Sequence, residues 1–150
     1  PFINPENIQK AIDNFVEIKK NDNNLVCSSL YYETDDLNEI KSRSRGKVVM
    51  DKKNNVMYCS RNMIPSCKTN EIIPNYKYKI HVGIFVFDCK YLLEYYNKEN
   101  THLQLCEDIE WMKLLEQGFT MNCVKIEQHE IGVDTKEDYL YLKNKYETNS

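Results

Sequence analysis

The sequence predicts an α/β fold. Strand-like runs rich in β-branched and aromatic residues alternate with amphipathic helical stretches, and two short apolar runs flank a polar turn of hairpin type. A chain of 150 residues, 41% hydrophobic and 29% charged, has the balance of an ordinary globular unit that fills one domain or part of a larger one.

The elements follow in order. Pro5 suits a first helical turn after Asn4 as N-cap, and Ile8, Ile12, Phe15 and Val16 fall on one stripe, which predicts a helix to about Lys19. The run Leu25 to Tyr32 reads as a strand, and a short helix is expected within Asp35 to Arg43. Lys47 to Met50 and Val56 to Cys59 form the arms of a β-hairpin closed by Asp51 to Asn55. Residues 66–77 have the composition of a surface loop. Tyr78 to Phe87 reads as a largely buried strand, after which Asp88 caps a helix to about Asn97. One further helix is expected from Leu105 to Gln117, ended by Gly118, then a strand from Phe119 to Gln128. Thr135 is placed to cap a last helix carrying Tyr139, Leu140, Leu142 and Tyr146. Neither repeats nor an internal linker interrupt this order.

A formal charge of -3 offers no general attraction for nucleic acid or an anionic membrane, so neither is expected as a partner. No apolar run approaches the roughly 20 residues of a membrane-spanning helix. The six cysteines are spread without a C-x-x-C pair, which argues against a zinc ribbon or redox motif and for buried free thiols in a reducing, cytoplasmic compartment.

Four segments, in order, carry a resemblance. Lys47-Val48-Val49-Met50-Asp51 through Tyr58-Cys59-Ser60-Arg61-Asn62-Met63-Ile64-Pro65 resembles a V-K-V-V-x-D hairpin and its Y-F-S-R-x-x-I-P continuation. His81-Val82-Gly83-Ile84-Phe85 resembles H-x-G-I-Y, Glu107 to Lys113 resembles E-x-L-E-Q-L-R, and Gly132 to Asp138 resembles G-V-D-T-P-E-D. These are motifs of the CMP-Kdo synthetase family, the 3-deoxy-manno-octulosonate cytidylyltransferases, and the likeness covers nearly the whole chain. Pro1 looks like the end of that family's Gly-Asp-Glu-Pro loop. The resemblance therefore implies the C-terminal portion of a three-layer, Rossmann-like nucleotidyltransferase fold, with a hairpin excursion and without the N-terminal half that cradles the CTP phosphates. By itself such a portion is expected to be inactive.

The implied partners are CTP and a sugar acid such as Kdo, the implied cofactor is Mg²⁺, and the implied assembly is a homodimer formed through the hairpin. Asp134 precedes a helix start and fits a helix cap as well as a hard oxygen ligand; the family match implies the Mg²⁺ role. Arg61 is implied to meet the sugar-acid carboxylate, for which a guanidinium fork is suited, although solvation is the usual fate of an arginine. His81 is either a satisfied core histidine or a hydrogen-bonding residue of the sugar pocket. Glu110 is either an exposed helical glutamate or a partner of sugar hydroxyls. Two departures from the family pattern bear on the sugar: Phe85 stands where the family has Tyr, and Trp111 where it has Gln. Losing two polar partners is expected to change the preferred sugar. The rivals are a sialic-acid or other sugar-acid cytidylyltransferase and a non-catalytic, dimerising remnant of the fold.

Overall fold

The computed structural model describes residues 3–69, 71–96, 98–127, 132–133 and 136–147. Helix α1 (Pro5–Lys19) begins where Asn4 accepts the amide of Glu6 at 2.9 Å, and strand β1 (Leu25–Thr34) follows it. After α2 (Leu37–Lys41) come β2 (Lys47–Met50), β3 (Val56–Ser60) and β4 (Tyr78–Phe87). Asp88 caps α3 (Cys89–Tyr91), which runs on as a π-helical stretch, Leu92–Tyr96. Next come α4 (His102–Glu107), α5 (Met112–Glu116), β5 (Thr120–Lys125) and α6 (Lys136–Glu147).

The strands form one mixed sheet in the order β3-β2-β4-β1-β5, with β1 and β5 parallel and the other pairs antiparallel. Strand β1 lies inside the sheet between β4 and β5 and buries both faces, as its unbroken apolar and small-residue run requires. On one face Cys27 and Tyr31 pack with Tyr91 of α3, with Met112 and Leu114 of α5 and with Trp111 just before it. On the other, Leu30 and Tyr32 pack with Ala11 of α1 and Ile80 of β4. Helices thus cover the sheet on both sides, the three-layer arrangement expected.

Two departures from the expected elements shape the site. The helix foreseen over Leu105 to Gln117 is two short helices, separated at Asp108, which sits at φ 53°. In a continuous helix the carbonyls of Glu107 and Asp108 would accept amides four residues on. Here Arg61 takes them instead, through Nε to Glu107 O at 3.0 Å and Nη2 to Asp108 O at 2.7 Å.

The second departure is in β4. Consecutive β1 residues Ser29 and Leu30 face Phe85 and Val82, so Gly83 and Ile84 are two extra residues bulged out of the pairing. An even insertion preserves the alternation of side chains, and His81 and Phe85 remain on the same face as Ser29 and Tyr31. The cysteine expectation holds for Cys27, Cys59 and Cys123, which are buried and free; Cys89 and Cys106 are exposed. No helix among the described residues is long and apolar enough to cross a membrane.

Candidate functional site

The β4 bulge, the end of β3 and the break between α4 and α5 meet around a cavity of about 480 Å³. Arg61, His81, Phe85, Glu110 and Trp111 all line it, as do Gly46 and Gly83. The His81 ring lies 5.1 Å from that of Trp111 and 5.2 Å from that of Phe85. Its amide is bonded to Gly46 O at 2.9 Å, which joins β4 to the approach of β2. Burial pushes the His81 imidazole down to about 4, so it is neutral at physiological pH.

A network of internal bonds builds one corner of this cavity. Lys47 is fully buried, and its ammonium donates to the carbonyls of Ser42, Arg45 and Arg61, each at 2.6 Å. Burial pushes it down to about 8, while three acceptors satisfy all of its N–H groups. The Glu107 carboxylate accepts from Tyr58 Oη at 3.1 Å, Ser60 Oγ at 2.9 Å and the Arg61 amide at 3.1 Å. The Arg61 guanidinium also donates to Arg43 O at 3.2 Å. Three of its five N–H groups are therefore committed to main-chain carbonyls, leaving one on each terminal nitrogen.

Comparison with known proteins places this arrangement. The family model described as cytidylyltransferase matches residues 1–131. The chain belongs to the cytidylyltransferase family. Among the relatives it resembles, the 3-deoxy-manno-octulosonate cytidylyltransferase of Protochlamydia amoebophila is 37% identical over 92% of this chain and 52% of its own length. That of Fusobacterium nucleatum is 31% identical over 100% of the chain and 58% of its own length. The mitochondrial enzyme of that name from Arabidopsis thaliana is 39% identical over 63% of the chain. The chain spans about half the length of the curated bacterial relatives it matches. A solved structure of CMP:2-keto-3-deoxy-manno-octonic acid synthetase complexed with CTP superimposes with a TM-score of 0.75 at 20% identity, covering 94% of this chain and 57% of that one. The fold is thus the family's α/β nucleotidyltransferase fold.

Within this cytidylyltransferase fold, the motif-derived candidates do not all behave alike. His81, Phe85, Glu110 and Trp111 converge on the cavity, and Arg61 reaches it while bracing the α4–α5 break. Glu110 is exposed, and its carboxylate, after burial, is a cause that pushes the neighbouring Tyr96 phenol up to about 12 through charge and a hydrogen bond. Trp111 is 6% exposed and acts as much in the core as at the cavity wall. Asp134 lies outside the described residues, and among those described no group of three or more His, Cys, Asp or Glu is disposed to hold a metal.

Sequence reasoning missed Ser29, Lys47 and Glu107 as individual contributors. Two of them give a signal: a lysine heading the apolar run Val48-Val49 is a candidate for burial, and Glu107 opens the segment that resembles E-x-L-E-Q-L-R.

Proposed function

We propose that this chain supplies the sugar-acid-binding half of a cytidylyltransferase that activates a 3-deoxy-ulosonic acid, Kdo or a relative, with CTP. The observation that carries the reading is convergence. Residues from three separate motifs, at positions 61, 81–85 and 110–111, line one cavity whose volume falls in the range of roughly 300–1,000 Å³ usual for small-molecule sites. The names of the relatives support the substrate class.

In the reaction, the anomeric hydroxyl of the sugar acid attacks the α-phosphorus of CTP. A C–O–P bond forms, the bond from that phosphorus to the bridging oxygen of pyrophosphate breaks, and the hydroxyl proton is released. This chain's part is to bind and orient the nucleophile. The two Arg61 N–H groups not given to main-chain carbonyls suit the sugar's carboxylate, which would displace the exposed Asp108 carboxylate now 3.5 Å from Nη2. Glu110 suits the sugar's hydroxyl donors, and Phe85 and Trp111 offer apolar faces to its ring. Asp134 is the residue proposed for Mg²⁺, which when bound supplies neutralisation of phosphate charge.

Trp111 is the single tryptophan and lines the cavity, so its fluorescence reports occupancy. Titration with Kdo should give a saturable change that weakens when Glu110 is replaced by Gln. N-acetylneuraminate, which carries an acetamido group, should bind less well. A flat response to both sugars, matched by no heat of binding, would overturn the reading. It would favour the alternative of a non-catalytic module, which the commitment of Arg61 to main-chain carbonyls also supports.

Pairing of two copies through the β2–β3 hairpin is the proposed assembly. Met57 on β3 is 66% exposed, an apolar side chain available to a partner. Sedimentation that finds only monomer at micromolar concentration would contradict it.

A further inference from the structure

The bulge in β4 turns two carbonyls toward one hydroxyl. Ser29 Oγ lies 2.7 Å from Ile84 O, 3.1 Å from Val82 O and 2.8 Å from His81 Nε2, and Ser29 is fully buried. A hydroxyl has a single proton and two lone pairs. Were Ser29 to donate to Nε2, its lone pairs would face two carbonyl oxygens at contact distance, with no proton between them. Donation to the carbonyls, the Ile84 oxygen being closest, removes that clash. The lone pairs are then available to an N–H from the ring. The imidazole is neutral, so a proton on Nε2 leaves Nδ1 bare. Nδ1 has no hydrogen-bond partner among the described residues, and it is not among their sealed, unsatisfied polar atoms; His81 itself lines the cavity.

We propose that Ser29 is a positioning residue of the cavity: it holds His81 in the Nε2–H form and so leaves Nδ1 as an acceptor for a hydroxyl donor of the sugar acid. An acceptor at this position repels a carboxylate, so the sugar's carboxylate must be met elsewhere and a hydroxyl must lie here. Ser29 never touches the substrate. The bulge makes the device possible, because regular pairing of β1 with β4 would not bring the Val82 and Ile84 carbonyls and the His81 ring to one hydroxyl. The inference rests on the sugar-acid reading above.

The experiment is nitrogen NMR of the chain labelled at its three histidines, with the His81 signals assigned by their loss in His81→Gln. At neutral pH and without ligand, the expected result is a protonated, pyrrole-type Nε2 and a bare, pyridine-type Nδ1. Ser29→Ala should mix the two tautomers, and Ser29→Thr, which keeps the hydroxyl, should restore one. Addition of Kdo should shift Nδ1 in the direction of hydrogen-bond acceptance and leave Nε2 nearly still. A proton on Nδ1 in the unligated parent overturns the proposal, and this holds even if Ser29→Ala fails to fold. So does a folded Ser29→Ala with an unchanged tautomer. If Kdo changes Trp111 fluorescence while Nδ1 is unmoved, the inference fails and the sugar-acid reading survives. If neither responds, the sugar-acid reading is what has failed, and the inferred role of Nδ1 falls with it.

Discussion

Two corners of the cavity use polar residues in opposite ways. At the corner where β3 meets the α4–α5 break, Lys47 and Glu107 spend their hydrogen-bonding capacity on the chain itself. At the corner made by the β4 bulge, His81 has one bonded nitrogen and one bare, Gly83 presents no side chain, and the exposed Phe85 ring flanks them. The contrast separates groups that build the wall from groups left open to a ligand. A buried polar group that lacks a partner is costly. Where the fold leaves one accessible but unpaired beside a cavity, a ligand is the natural partner.

The largest test of this division is at the first corner. Lys47→Met removes the donor shared by three carbonyls and should cost about 4 kcal/mol, comparable to breaking a buried charged group's contacts. Urea unfolding would measure it, and a loss under about 1 kcal/mol would mean that water satisfies those carbonyls instead.

At the second corner, pH is the lever. The His81 pKa of about 4 lies below the value of about 6.5 for an unfolded histidine. Between these values the unfolded chain binds more protons, so the stability present above pH 6.5 is lost as pH falls toward 4. The expected loss is about 2 kcal/mol, less than the full shift implies because the residue keeps an edge in the cavity. It should disappear in His81→Gln, provided stability is compared with the parent across the same pH range.

Smaller effects sharpen the comparison. Glu107→Gln keeps the shape but sets an amide N–H₂ against donors from Ser60 and Arg61 or from Tyr58, and should cost about 1.5 kcal/mol in unfolding experiments. Gly83→Ala should change stability by less than about 0.5 kcal/mol, since a Cβ there meets no atom within 4 Å.

How much of this was legible depended on how local the cause was. The start of α1 at Pro5, the β2–β3 hairpin and the limits of β4 follow from caps, turn residues and β-branched runs within a few positions. The broken helix did not, because periodicity across Ile109, Met112, Leu114 and Leu115 is intact; the chain turns at the left-handed Asp108, and the carbonyls freed there are taken by Arg61, far back in the chain. The β4 bulge was equally hidden: Gly83 hints at irregularity in a strand, but its extent depends on pairing with β1. Motif resemblance found the open corner, with His81, Phe85, Glu110 and Trp111 on the cavity. It identified Arg61 by its possible ligand and overlooked the carbonyls that hold it. Ser29 carries no sequence signal, since a serine in an apolar strand reads as filler until the bulge is seen. The Asp134 expectation falls outside the described residues.

The most direct measurement compares Glu107→Gln with Gly83→Ala in two assays, urea unfolding and Kdo titration followed by Trp111 fluorescence. Opposite patterns are expected. Glu107→Gln should lose stability while its Kd for Kdo stays within about threefold of the parent, a difference below 1 kcal/mol. Gly83→Ala should keep its stability and bind Kdo about tenfold more weakly, because the added methyl takes up space at the open wall. If Gly83→Ala bound Kdo as the parent does while Glu107→Gln lost binding, the division between building and binding corners would be contradicted.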